Sequence, residues 1–160
     1  MKTLGEIKEF LFKFGEKNGG CGKGQEFLKR NDLAKKDLVK FLFTNKGEKI
    51  GIKLFKTKEI KNIIDFLISD KIMNELKGDP DWVVRKAVVE QGYALDELKN
   101  DSYWPVREAV AEQGYALDEL KDDPSPRVRA VVAKQGYALD ELKNDPKCWL
   151  WERTEILKKK

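Results

Sequence analysis

QGYALDELK occupies residues 91–99, and the same nine letters recur without change at 113–121 and 135–143. Each copy begins 22 residues after the one before it. A short fixed period is typical of stacked helical repeats, in which each repeat covers the apolar face of its neighbour. The recurrence therefore predicts an array of equivalent repeats, and such arrays more often present a binding surface than a catalytic centre.

The complete repeat begins at an aspartate, and three copies align from Asp79, Asp101 and Asp123. Between Val84 and Gln91 the apolar side chains recur at helical spacing, which predicts a helix in the first half of the repeat. The glycine that follows can adopt a positive φ and end that helix. The second half is short, so its leucines predict only one or two further turns, stabilised by burial.

The aspartate and arginine of each repeat carry a family resemblance. The pattern D-x-x-x-x-V-R resembles the HEAT repeat, and the 22-residue period with a very short second helix is similar to the variant leucine-rich repeat. The resemblance implies a mainly α fold, a short right-handed α-solenoid over about residues 58–150. It also implies a structural ladder between neighbouring repeats, formed by Asp79, Arg85, Asp101, Arg107, Asp123 and Arg129. Arginines that contact a ligand are the alternative.

The composition argues against catalysis and metal binding. The 160 residues include no histidine and two isolated cysteines, Cys21 and Cys148, so the commonest general base and a four-ligand zinc set are missing. We therefore expect no enzymatic activity, no metal and no cofactor. No run of 18 apolar residues predicts a membrane span, and the N-terminus lacks the apolar stretch of a signal peptide. Sparse cysteine fits a reducing compartment, and we expect a cytoplasmic protein.

The charge is unevenly distributed along the chain. Residues 1–58 carry 15 Lys/Arg and 7 Asp/Glu, a net charge of +8, whereas residues 59–145 carry 12 and 19, a net charge of −7. The last segment, 146–160, has a net charge of +3. Because the first segment also does not follow the repeat, we divide the chain into a basic N-terminal region, 1–57, and a repeat array with a C-terminal cap, 58–160.

The basic N-terminal region offers one candidate surface. Its apolar spacing from Leu4 to Phe14 predicts a helix, a second helix is expected at 25–33 or 35–40, and alternation over 39–55 predicts a β-hairpin. Lysines on and near that hairpin could contact nucleic-acid phosphates: Lys40, Lys46, Lys49, Lys53 and Lys56. Solvated charges that protect a strand edge are the alternative, because no aromatic platform for bases is evident beside them.

The positions that differ between otherwise copied repeats offer a second candidate surface. They lie at the start of the first helix, and tryptophan and arginine among them are the types most often found as interface hot spots. The candidate protein-binding residues are Trp82, Trp104, Arg127, Trp149 and Trp151. Alternatively, these tryptophans cover the core between repeats and cap its open end.

The sequence thus favours a non-catalytic protein-protein interaction module with a protein partner. One alternative is a nucleic-acid-binding module that acts through the basic N-terminal region. The other is a small inhibitor of the type found in mobile elements, which would occupy a nucleic-acid-binding enzyme.

Overall fold

The computed structural model describes residues 3–17, 22–44, 58–142 and 145. Within these residues the chain is mainly helical and has no strand. Eleven α-helices follow one another there: α1 Leu4–Lys17, α2 Gly22–Lys29, α3 Lys35–Thr44, α4 Lys58–Leu67, α5 Asp70–Leu76, α6 Trp82–Glu90, α7 Leu95–Leu98, α8 Trp104–Glu112, α9 Leu117–Leu120, α10 Pro126–Lys134 and α11 Leu139–Leu142. None of these helices is long and apolar enough to cross a membrane.

The chain forms two compact units, an N-terminal unit Met1–Ile72 and a C-terminal unit Met73–Lys160. Helix α4 lies in the N-terminal unit, where it packs against α3, although the sequence division placed residue 58 at the start of the array. Helix α5 spans the boundary between the units.

The N-terminal unit is built around α1 packed on α2 and α3 packed on α4. Helix α1 begins with a capping box, in which the Glu6 backbone N–H donates to Thr3 Oγ1 at 3.2 Å and the Thr3 N–H donates to Glu6 Oε2 at 2.6 Å. The described part of its core is aliphatic apart from one phenylalanine: Ile7, Leu11, Leu28, Leu33, Leu38, Val39, Leu42, Phe43, Ile63 and Leu67.

The β-hairpin predicted over 39–55 is wrong for residues 39–44, which form the second half of α3. The alternating pattern was misleading because Leu38, Val39, Leu42 and Phe43 are all buried, which places them on one face of a helix. Asp37 also favours the helix, since its carboxylate accepts the Ala34 backbone N–H at 3.1 Å and so caps the first turn. The rest of the hairpin, 45–55, lies outside the described residues.

Three equivalent helix pairs form the described part of the repeats. Helix α6 packs against α8, and α8 packs against α10. Valines on these helices form the core, and alanines such as Ala109 and Ala130, both fully buried, allow the neighbouring helices to approach closely. The first helices begin at residues suited to helix starts: the Asp81 carboxylate accepts the Val83 N–H at 3.0 Å, and Pro126 is the first residue of α10.

Each first helix ends in a Schellman motif. In the first repeat the Tyr93 N–H donates to the Val88 carbonyl at 3.2 Å, and the Gly92 N–H donates to the Val89 carbonyl at 2.8 Å. Gly92 has φ +79°, which a glycine adopts without steric cost. The same two hydrogen bonds close α8 and α10.

The second half of each repeat is a single α-turn that follows a strained residue. Ala94, just before α7, has φ 53°, in the left-handed region that residues with a Cβ rarely occupy. Its equivalents Ala116 and Ala138 have φ 52° and 50°. The turn is held by burial of its last leucine, which is Leu98 in the first repeat.

Candidate functional site

Each repeat arginine joins two repeats. Arg85 Nη1 donates to the backbone carbonyl of Asp79, at the start of its own repeat, at 2.7 Å. Its Nε and Nη2 donate to the two carboxylate oxygens of Asp101, which begins the next repeat, at 2.6 and 2.9 Å. Arg107 contacts Asp101 and Asp123 in the same way. Arg129 Nε donates to Asp145 at 2.5 Å and its Nη1 to the Asp123 carbonyl at 2.6 Å.

These ion pairs are largely shielded from water. The side chain of Arg107 is 13% exposed and that of Asp123 is 3% exposed. Burial raises the pKa of the Asp101 carboxyl, but hydrogen bonds from Arg85 and from the Tyr103 N–H, together with the charges of Arg85 and Arg107, outweigh it and lower that pKa. Since Arg85 and Arg107 each use all three of their guanidinium nitrogens within the protein, these two arginines act as joints between repeats.

The letters of QGYALDELK form two further links that the sequence reading missed. The lysine that ends one copy contacts the glutamate of the next, with Nζ–Oε distances of 2.8 Å for Lys99–Glu119 and 3.2 Å for Lys121–Glu141. Lys77, which lies before the first copy, contacts Glu97 in the same way at 2.6 Å. The Tyr115 and Tyr137 hydroxyls also donate to the aspartate of the preceding copy. The lysine and the glutamate keep the same spacing in every copy. This spacing indicates a contact only when the helices are known to stack.

An aromatic row lies at the starts of the first helices. We define it as Trp82, Tyr103, Trp104 and Arg127. The Trp82 and Tyr103 rings stack with centroids 5.8 Å apart and planes within 8°. The Arg127 guanidinium lies 5.1 Å from the centroid of the Trp104 ring, within cation–π range. Each of these contacts joins one repeat to the next.

Tyr103 is the most accessible aromatic side chain of the row. Its side chain is 51% exposed, the largest value for any large apolar side chain in the described part of the chain. Trp82 and Trp104 are half-buried, which leaves part of each indole in contact with water. The row therefore combines ring contacts between neighbouring repeats with an accessible ring surface.

The aromatic row brings together three of the five candidate protein-binding residues. Trp149 and Trp151 lie outside the described residues. Tyr103 was missed, although it occupies a position that also differs between copies, where the first repeat has Asp81 and the third has Ser125.

Only one of the five lysines proposed to contact nucleic acid lies among the described residues. Lys40 is half-buried on α3, while Lys46, Lys49, Lys53 and Lys56 lie outside the described residues.

Charged side chains of both signs border the aromatic row. Glu108 lies one helical turn after Trp104 and is partly buried, which raises the pKa of its carboxyl, as does the nearby Glu112. Lys86, Arg127 and Lys134 oppose that shift. The surface next to the rings is thus mixed in charge, and an ordinary protein surface could complement it.

The described residues contain no group of three His, Cys, Asp or Glu side chains arranged to hold a metal ion. Comparison with protein-family models, with curated proteins and with solved structures found no match to this chain.

Proposed function

We propose that this chain is a non-catalytic protein-protein interaction module, whose repeats form a short right-handed α-solenoid and whose aromatic row contacts a protein partner. The observation that carries the proposal is the accessible stack of Trp82 and Tyr103, continued by Trp104 and Arg127. Tryptophan, tyrosine and arginine are the residue types that most often contribute the largest share of binding free energy at protein interfaces.

The way the row is held also supports this function. Its members lie at the starts of α6, α8 and α10, and the arginine–aspartate ion pairs fix the spacing of these starts. Side chains that are already ordered before binding lose less conformational entropy in the complex. The row therefore has the rigidity expected of a binding surface.

The pattern of variation points the same way. QGYALDELK is identical in three copies and supplies some of the contacts between repeats, whereas the residues of the row differ from copy to copy. The first-helix position of Trp82 and Trp104 holds Pro126 in the third repeat. A surface that differs between copies suits one particular partner, since a purely structural role would be served by the same residue in every copy.

The experiment is affinity capture from lysate with the tagged full chain, with and without nuclease, comparing the wild type with Tyr103→Ala. We expect a protein that is retained after nuclease treatment and is depleted when Tyr103 is replaced. Tyr137→Ala is the matched control, because Tyr137 is also exposed but lies outside the aromatic row. Loss of all captured protein upon nuclease treatment, or equal capture by Tyr103→Ala and the wild type, would count against this function.

A further inference from the structure

The N-terminal unit carries a second aromatic surface. Several phenylalanines on its first four helices remain half-buried, among them Phe12, Phe27, Phe41 and Phe66. Phe43, on the same helix as Phe41, shows the contrast, because it is buried in the core. The four half-buried rings leave aromatic surface within reach of a ligand.

Cations lie over three of these rings. Lys29 Nζ is 5.2 Å from the centroid of Phe12, the Arg30 guanidinium carbon is 5.8 Å from that of Phe27, and Lys35 Nζ is 4.6 Å from that of Phe66. Phe27 in turn stacks on Phe41, with centroids 4.4 Å apart and planes within 9°. Three cation–π contacts thus lie within this one unit. We call the four rings and three cations the phenylalanine–cation surface.

The three cations are accessible and close together in the chain. Lys29, Arg30 and Lys35 are all exposed and lie between the end of α2 and the first residue of α3. Lys8 on α1 donates to the Arg30 carbonyl and so brings a fourth cationic group to the same place. Arg30 also pairs with Asp32 at 2.7 Å, but such an exposed ion pair exchanges readily for another anion.

We propose that the phenylalanine–cation surface binds single-stranded nucleic acid, with bases stacked on the rings and phosphates bound by Lys29, Arg30 and Lys35. Single strands are held by this combination of aromatic rings and cations, because every base has an aromatic face and every linkage carries a negative charge. The net charge of +8 over residues 1–58 favours the approach of such a polyanion. This site is separate from the aromatic row and does not depend on the function proposed for it.

The positions of the cations allow a base to replace them on the phenylalanine rings. A lysine over a phenylalanine covers apolar surface with its methylenes and keeps its ammonium group in water. When a base takes its place on the ring, the ammonium group needs to move only to the adjacent phosphate, so its charge is again compensated. A duplex hides the faces of its bases, and a purely acidic protein segment would engage the cations but leave the rings unused. These features favour a single strand over both.

The test is fluorescence anisotropy with the full chain and a labelled oligothymidylate of about 20 nucleotides, a length that covers one or more sites. We expect binding that weakens as salt rises, with a slope of about −0.7 per phosphate contact. Phe27→Leu and Phe41→Leu keep apolar volume but lose a ring, and each should weaken binding about tenfold. Lys29→Gln together with Lys35→Gln should reduce the slope by about 1.4.

Controls separate stacking from charge and from folding. Lys13→Gln removes an exposed lysine paired with Glu9 on α1 and should leave the affinity nearly unchanged. Phe43→Leu removes a core ring and, in folded protein, should also leave the affinity unchanged. Inorganic polyphosphate should compete poorly, and a duplex of the same length should bind less tightly than the strand. Absence of binding at about 50 mM salt, equal competition by polyphosphate, or indifference to the Phe41 substitution would overturn the proposal, whatever the outcome of the protein-capture experiment.

Discussion

Arg85 and Asp101 belong to different repeats, yet they are joined by two parallel hydrogen bonds of 2.6 and 2.9 Å. A planar guanidinium matches a carboxylate in this geometry, which a lysine cannot reproduce. Asp101 also accepts the Tyr103 N–H at 2.8 Å, so the same carboxylate fixes the turn before α8 and the distance to the preceding repeat. Loss of either partner should therefore affect both the local turn and the contact between repeats.

We expect Arg107→Leu to lower the free energy of unfolding by about 3 kcal/mol, because it leaves the buried Asp123 carboxylate without its ion pair. Chemical denaturation followed by circular dichroism measures the change. Glu119→Gln is the control, since it disrupts an exposed link to Lys99 and should cost less than about 1 kcal/mol. Equal effects of the two substitutions would show that the arginine ion pair contributes no more than a surface contact.

The lowered pKa of Asp101 predicts acid sensitivity. The folded state binds this proton less tightly than the unfolded state, so the ion pair stabilises the fold above the unfolded pKa of about 3.9. That stabilisation is lost as the pH falls through the lower, folded-state pKa. Denaturation between about pH 7 and pH 2 should show that Asp101→Asn has a smaller loss of stability with acid than the wild type. Parallel curves for the two proteins would contradict this.

The effect of Glu108 on the pH dependence of stability should have the opposite sign to that of Asp101. Burial raises the pKa of its carboxyl in the folded state, so its ionised form disfavours folding at neutral pH and protonation relieves that effect. We expect Glu108→Gln to raise the melting temperature at pH 7 and to leave it unchanged well below an ordinary glutamate pKa of about 4.3. Thermal unfolding at both pH values tests the difference, and a lower melting temperature at pH 7 would argue against it.

The left-handed alanines offer a stabilising substitution. Ala116 has φ 52°, which costs a residue with a Cβ about 1–2 kcal/mol, whereas glycine adopts it freely but loses more entropy on folding. The difference should leave Ala116→Gly more stable than the wild type by about 0.5 kcal/mol. Ala109→Gly, in the buried middle of α8, should instead be destabilising. Destabilisation by both would mean that the Ala116 methyl group contributes more by packing than its backbone costs.

For the aromatic row, we expect Tyr103→Ala to weaken the complex with a captured protein partner by about 2 kcal/mol if Tyr103 is a hot spot. Because the side chain is 51% exposed, the substitution should change the free energy of unfolding little. Isothermal titration calorimetry with the purified partner and denaturation of the free chain separate these two effects. A variant that loses stability but retains affinity would assign Tyr103 to packing.

Local signals in the sequence were sufficient to predict the first helices of the repeats. Asp81, Pro126 and Gly92 mark helix ends through their own backbone and side-chain chemistry, and the structure places them at those ends. The segment 39–44 was misread because alternation in six residues does not distinguish a strand from a helix whose face is broad and buried. The positive φ of Ala94 could not be predicted, since it contradicts the preference of a residue with a Cβ.

The candidate sites were predicted only in part. Trp82, Trp104 and Arg127 stood out because they differ between copies, but the stack of Trp82 on Tyr103 depends on how adjacent helices are placed. The phenylalanine–cation surface had no sequence signal of its own. Phe12, Phe27 and Phe66 are far apart in the chain, and their spacing alone does not separate core rings from half-buried ones.

The identical junctions between repeats affect how the chain can change over generations. Each repeat closes with the same residues and offers the next one the same arginine, lysine and leucine, so a duplicated or deleted copy of 22 residues would meet compatible neighbours on both sides. Stability would then rise or fall by similar increments with copy number. The residues of the aromatic row differ from copy to copy, so the proposed binding surface can diverge while the QGYALDELK segment is inherited unchanged.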